Sequence, residues 1–273
     1  MARQLVFDKS QQLLMIENGR FGHGVVVPAV EHRDKGCVGG GYRWVMDRSG
    51  VEAAFDLVEQ RLTGSGKVDL SGTGFWKAVA AVKGRPEWVD EYAERIGRIE
   101  REVFQRWALV KVPVAVGTTV MVLATALGLF LIGRAYSETG LAQAFLLGAG
   151  TGTLMVSTHG LTHLVVGTLQ GMRFTHWFVG TASRPQPGVK LDYASYIRIP
   201  ASKRAWMHAS GAITTKLIPL VGLGAGWAMD AESWALALLV LVAVGQVVID
   251  VVWSTKKSDW KKFRREMAYA SPR

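Results

Sequence analysis

Apolar and charged residues occupy different parts of this chain. Four long apolar runs follow Lys111, at residues 112–133, 141–170, 206–229 and 234–253. Each run is long enough for the ~20 residues that a helix needs to cross the core of a bilayer. The pattern predicts a mainly α polytopic membrane protein with about four transmembrane helices. It divides the chain into a small α+β cytoplasmic domain (1–110), a transmembrane domain (111–254) with a cytoplasmic loop (171–205), and a basic C-terminal cytoplasmic tail (255–273).

Local signals predict the elements of the N-terminal part. The Asn18-Gly19 dipeptide between residues 12–17 and 22–27 is typical of a β-hairpin turn. The sequence Ser49-Gly50-Val51-Glu52 is a capping box and predicts a helix that runs to Leu62. Two more helices are predicted at 74–83 and 86–107. No catalytic constellation is visible in this domain.

The positions of lysine and arginine predict the orientation in the membrane. Bases concentrate before the first apolar run, between the second and third, and after the fourth. Because bases mark the cytoplasmic side, both termini and the loop at 171–205 are expected in the cytoplasm, in the plasma membrane if the source is prokaryotic. The formal net charge of +10 therefore indicates membrane lipids as partners, and no nucleic acid. The single cysteine, Cys37, excludes an internal disulfide framework.

Polar residues inside the apolar runs suggest a metal site. His159 and His163 are four residues apart, which places both imidazoles on one face of a helix and within reach of one metal ion. With the predicted topology, Asp250 and His208 lie at a similar depth in other spans. Ionisable residues inside spans usually face an interior cavity. We expect His159, His163 and Asp250 to hold Zn²⁺ and to leave a fourth position for water.

Three further side chains are additional candidates for this site: His208, His176 and Lys216. Lys216 either forms an ion pair with Asp250, which is our first interpretation, or contacts a substrate or lipid headgroup. His176 lies in the loop at 171–205, whose aromatic and proline content predicts an ordered cap. Residues 256–265 predict an amphipathic helix on the inner leaflet, with Trp260 and Phe263 inserted.

Residues 112–254 resemble the site-2-protease family of intramembrane zinc metallopeptidases. In that family a His-Glu-x-x-His helix and an aspartate from a later span hold zinc near the cytoplasmic side. His159 and His163 match the two histidines, and Asp250 in Val248-Ile249-Asp250-Val251 matches the aspartate. The segment Ala209-Ser210-Gly211-Ala212 is similar to the small-residue motif of an intervening span. The resemblance does not reach the N-terminal domain.

One departure from that family concerns the chemistry. Position 160, where the family has its glutamate general base, is Gly160, so no group there can take a proton from metal-bound water. We therefore expect altered or absent peptidase activity, with a membrane client held but not cleaved. Two alternatives stay open: a structural or client-binding membrane protein without metal, and a haem-binding redox protein in which His159 or His163 pairs with His208.

Overall fold

The computed structural model describes residues 46–181, 184–252 and 258–270, without the side chains at 181, 184–186 and 250–252. The strands predicted at 12–17 and 22–27, and Cys37, lie outside the described residues. The elements are α1 (Arg48–Leu62), α2 (Phe75–Lys83), α3 (Pro86–Trp107), β1 (Val110–Pro113), α4 (Val114–Ala135), α5 (Gly140–Leu169), β2 (Phe174–Thr181), β3 (Arg184–Leu191), α6 (Tyr193–Arg198), α7 (Ala201–Ala228), α8 (Ser233–Val252) and α9 (Asp259–Ala270). The prediction of a mainly helical chain is confirmed.

The first three helices form a unit with its own apolar core, which contains Phe55, Phe75 and Ile96. Helix α1 begins one residue before the predicted cap: the carboxylate of Asp47, not the Ser49 hydroxyl, accepts the Gly50 N–H at 2.9 Å. Such a cap satisfies one of the backbone donors that the first helical turn leaves without a partner. The same core continues into α6, so this unit is joined to the rest of the chain by apolar packing.

The predicted loop at 171–205 contains a β-hairpin and a short helix. Strands β1, β2 and β3 form an antiparallel sheet in that order, with Val112 opposite Trp177. Trp177 is buried, and its indole N–H donates to the Thr118 hydroxyl at 3.1 Å. A methyl group on Gly117 of α4 or on Gly160 of α5 would overlap this indole. The sheet therefore inserts one aromatic ring between α4 and α5.

The four apolar runs all form helices. Two of them, α4 and α5, are long and apolar enough to cross a membrane. Within the described residues, α8 offers a shorter apolar stretch at Ser233–Ile249, and α7 contains Lys216 and Pro219. The four-span arrangement is therefore supported for two helices, and the assignment of α7 and α8 as spans stays a prediction.

The C-terminal helix α9, which is predicted to lie on the inner leaflet with Trp260 and Phe263 inserted, packs against α7; its contact with lipid stays a prediction. Phe263 contacts the Trp206 ring of α7, with ring centroids 5.5 Å apart. Glu266 is fully buried and pairs with Lys83 of α2 at 2.8 Å and with Arg204 of α7 at 2.7 Å. The Lys83 ammonium also lies 4.6 Å from the ring centroid of Tyr196. These contacts tie α9 to both the N-terminal unit and α7.

The ion pairs of Glu266 set its protonation state. Burial acts to raise the pKa of its carboxyl, but the charges of Lys83 and Arg204 outweigh burial and hold the pKa at about 2, below the ordinary 4.5. A carboxyl whose pKa is lower in the folded than in the unfolded state stabilises the fold above the unfolded value, and this contribution is lost as the pH falls towards the folded value.

We predict that Glu266→Gln lowers the free energy of unfolding at neutral pH by about 3 kcal/mol, because it leaves Lys83 and Arg204 buried without their carboxylate. The wild-type advantage should disappear between about pH 5 and pH 2, whereas the stability of the variant should change less over that range. Thermal unfolding followed by tryptophan fluorescence measures both effects.

The matched control is Glu138→Gln, which removes the carboxylate of an exposed pair with Arg134. Exposed pairs contribute about 0–1 kcal/mol, so this variant should unfold close to the wild type. Equal unfolding temperatures for Glu266→Gln and the wild type would contradict the assigned role of the buried pairs.

Candidate metal centre

Two histidines and one aspartate meet at the junction of α5, α7 and α9. His159 and His163 lie one turn apart on α5, with ring centroids separated by 4.8 Å. The Oδ2 atom of Asp259, in the first turn of α9, is 3.3 Å from His159 Nε2 and 3.1 Å from His163 Nε2. The ligand atoms of the three residues all lie within 4.8 Å of one another.

Helix α7 determines which nitrogen of His163 carries the proton. His163 Nδ1 lies 2.7 Å from the Met207 carbonyl oxygen. Because a carbonyl can only accept a hydrogen bond, Nδ1 must be the donor. In the neutral imidazole the other nitrogen, Nε2, then presents a lone pair, and this atom faces Asp259.

His159 is oriented by α7 in the same way. Its Nδ1 atom is 2.8 Å from the Thr215 hydroxyl and 3.1 Å from the Gly211 carbonyl oxygen. The Thr215 hydroxyl donates its own hydrogen to the Gly211 carbonyl at 2.8 Å, so its oxygen accepts from His159. Both neutral imidazoles therefore direct Nε2 lone pairs towards one carboxylate.

Three acceptors at these distances require a positive charge between them. The Asp259 carboxylate has no hydrogen to donate, and in the neutral tautomers neither Nε2 atom has one. A divalent cation or a second proton on an imidazole resolves this arrangement. Two imidazole nitrogens and a carboxylate oxygen form a donor set that suits Zn²⁺. Hydrogen bonding of the outer imidazole nitrogen to a carbonyl is usual for zinc-binding histidines.

The surroundings keep Asp259 ionised. Burial acts to raise the pKa of its carboxyl, but hydrogen bonds from His159 and His163, donated when Nε2 carries a proton, and the charge of Lys262 hold the pKa well below its usual range. The Lys262 ammonium lies 2.9 Å from Asp259 Oδ1, the oxygen directed away from the histidines. A negatively charged ligand group is thus available at neutral pH.

The centre can be reached from one side. The side chain of His159 is 39% exposed, whereas those of His163 and Asp259 are 11% and 15% exposed. On the closed side, Gly211 of α7 lies directly against His163, and a methyl group at this position would overlap the imidazole ring. The small-residue segment at 209–212 therefore serves to bring α7 close to the histidines.

The other predicted residues lie in different surroundings. The side chain of Asp250, the predicted third ligand, is outside the described part of α8, so its ligand role stays a prediction. His208 is buried beside His163, but its Nε2 atom bonds the Tyr196 hydroxyl at 2.9 Å. His176 packs against the Phe104 ring of α3. The Lys216 ammonium donates to the Ala212 carbonyl at 3.1 Å; its predicted pairing with Asp250 involves a side chain that is not described.

Sequence reasoning missed Asp259. The residue stands in a basic segment that was interpreted as a surface helix, and no local pattern connects it with α5. One signal was present: Asp259 and Glu266 are the only acids of α9 and are seven residues apart, so they share one helix face. Two acids on one face of a basic helix indicate a polar partner within the protein.

Residue 160, where the family that the histidine pair resembles has a glutamate, has no free space beside it. Gly160 is buried, and a side chain there would collide with the Trp177 indole. The structure therefore has no room at residue 160 for a carboxylate beside the histidines.

Comparisons with models of protein families, with curated proteins and with solved structures find no match to this chain.

We predict that Gly211→Ala weakens zinc binding by at least about tenfold, since the new methyl group displaces His163 from its place and a small misplacement of a ligand is costly. Competition with a chromophoric zinc chelator measures the affinity. The control is Gly152→Ala on α5, where no atom lies within 4 Å of the added methyl. Equal affinities for the two variants would contradict this geometry.

Proposed function

We propose that this chain is an integral membrane metalloprotein that binds Zn²⁺ through His159, His163 and Asp259. The observation that carries the proposal is the convergence of three acceptor atoms whose outer hydrogen bonds to α7 are already made. A site built for hydrogen bonding alone would need a second proton on one imidazole to place a donor opposite the carboxylate.

Exposed apolar surface supports the membrane location and our proposal that four helices span the bilayer. Large apolar side chains that are more than half exposed occur on α4, α5, α7 and α8: Leu123, Phe130, Phe145, Val156, Leu217, Val221, Leu241 and Val244. Soluble monomers rarely expose contiguous apolar patches of this kind. Contact with lipid tails would cover all four helices.

The proposed centre lies near one end of these helices. His163 is six residues from the end of α5, which corresponds to about 9 Å along the helix axis. The sheet, α6 and α9 adjoin the same end, which is also the basic end predicted to face the cytoplasm. In this proposal the metal lies close to the membrane surface, where water can reach it.

The chain's own residues limit the chemistry of the centre. A bound zinc ion supplies a Lewis acid that can lower the pKa of a coordinated water. The two imidazoles and Asp259 hold the ion, and the α7 acceptors fix the imidazole orientation. Because Trp177 occupies the space beside Gly160, no group at that position accepts a proton from water. We therefore propose a zinc-binding role with altered or absent peptidase activity, in keeping with the site-2-protease resemblance of the histidine pair.

The haem alternative finds less support. A haem iron needs two imidazole nitrogens that face each other across an open gap. His208 Nε2 bonds the Tyr196 hydroxyl at 2.9 Å, so this nitrogen is engaged in a protein contact instead of facing His159 or His163 across a gap.

The test is the zinc content of purified full-length protein, measured by mass spectrometry. We expect about one zinc per chain in the wild type, and loss of the metal in His159→Ala, His163→Ala and Asp259→Asn, because each removes one ligand. His176→Ala is the control, since this residue packs against Phe104 and should leave the metal in place.

Asp250→Asn decides between the two carboxylates. Retention of zinc in this variant, with loss in Asp259→Asn, would support the ligand set proposed here. Loss in Asp250→Asn with retention in Asp259→Asn would support the ligand set of the resemblance instead. A wild-type protein that folds and binds no metal would refute both.

A further inference from the structure

Helix α9 separates its charges between two faces. Its two acids face the protein, where Asp259 meets the histidines and Glu266 is buried between Lys83 and Arg204. Its bases are Lys261, Lys262, Arg264 and Arg265. Lys262 pairs with Asp259, and Arg265 is 3.8 Å from Glu266. Within the part of the chain that the structure describes, the side chains of Lys261 and Arg264 make no salt bridge.

Aromatic rings adjoin this cationic face. Trp260 stacks on Phe263 with ring centroids 5.2 Å apart, and Phe263 packs against Trp206 of α7. Trp206 and Trp260 remain 54% and 37% exposed. Tryptophan with one apolar and one wet side is typical of the boundary between a bilayer and water.

The position of α9 along the chain agrees with that boundary. Only residues 253–258 separate the end of α8 from the start of α9. Helix α9 also packs against the beginning of α7, where Lys203 is exposed. If α7 and α8 cross the membrane, as proposed above, α9 must lie at the surface of the bilayer.

We propose that the outer face of α9, with Lys261, Arg264 and the Trp206–Trp260 edge, binds the anionic phospholipid headgroups of the bilayer. The proposal rests on the membrane location proposed above. Lys261 and Arg264, which have no acidic partner among the described residues, attract a negative surface, and exposed tryptophans are typical of the boundary between such a surface and the lipid tails. An acidic soluble partner would account for the bases alone. Because Asp259 belongs to the same helix, lipid contact would also hold a zinc ligand in place.

The test measures lipid binding to the full chain. Native mass spectrometry of the detergent-purified protein, titrated with phosphatidylglycerol or phosphatidylcholine, gives the affinity for each lipid. Each base near an anionic surface contributes about a fivefold change in affinity, so Lys261→Gln/Arg264→Gln should weaken phosphatidylglycerol binding by roughly 10- to 30-fold. Phosphatidylcholine binding should be unchanged. The control, Lys67→Gln/Lys77→Gln, removes the same charge from exposed positions of the N-terminal unit and should bind as the wild type.

Hydrogen–deuterium exchange in nanodiscs locates the effect. Wild-type α9 should exchange more slowly when phosphatidylglycerol is added to phosphatidylcholine, and the α9 double variant should lose this difference. Equal affinity of the wild type for both lipids would overturn the proposal, as would equal weakening by the control variant. Competition by soluble glycerol phosphate at lipid-like concentrations would also overturn it, because the face would then be a site for free anions.

The same samples separate this proposal from the proposed function. A wild type that keeps its zinc and enters nanodiscs without preferring phosphatidylglycerol would refute only the lipid contact. A chain that remains soluble and monodisperse without detergent would refute the membrane location itself.

Discussion

The candidate centre depends on the hydrogen bonds that α7 accepts from two histidines of α5. The Met207 carbonyl and the Thr215 hydroxyl take the Nδ1 protons, and this leaves both Nε2 lone pairs directed at Asp259. Gly211 makes this possible, because any side chain there would occupy the space of the His163 ring. A pair of histidines on a membrane helix is compatible with simple helix association. The fixed tautomers and the facing carboxylate are what favour a metal.

The proposed third ligand depends on contacts far from the site. Asp259 is positioned by α9, and α9 is held by the buried pairs of Glu266 with Lys83 and Arg204. A buried charge without a partner raises the free energy of the folded state. The pairs of Glu266 therefore favour this position of α9 over other positions. The same two pairs join the N-terminal helices to α7. The proposed metal ligation and the association of the two parts of the chain are therefore linked through one short helix.

The sequence was sufficient for the elements with strong local patterns. Helix α3 was predicted at its observed ends, 86–107, because Pro86 and a regular charge pattern mark it. The four apolar runs were predicted as helices because each is long and apolar enough to cross a bilayer. The hairpin at 174–191 was missed, since its aromatic residues and prolines resemble a loop until β1 is paired with it. The position of Asp259 beside the histidines was missed, because the Lys83–Glu266 contact that helps to position α9 spans 183 residues of sequence. The packing around Gly160 could not be predicted either, because no local sequence pattern indicates that the Trp177 ring lies against this residue.

X-ray absorption spectroscopy of the zinc-loaded full-length protein tests the central claim most directly. The account predicts a first shell of about two imidazole nitrogens at ~2.0–2.1 Å, completed by carboxylate and water oxygens. Asp259→Asn should lose the metal or show a weakened oxygen shell, while the imidazole scattering of the remaining bound zinc stays. A shell of oxygen atoms alone, or one that contains sulfur, would contradict the proposed centre of His159, His163 and Asp259.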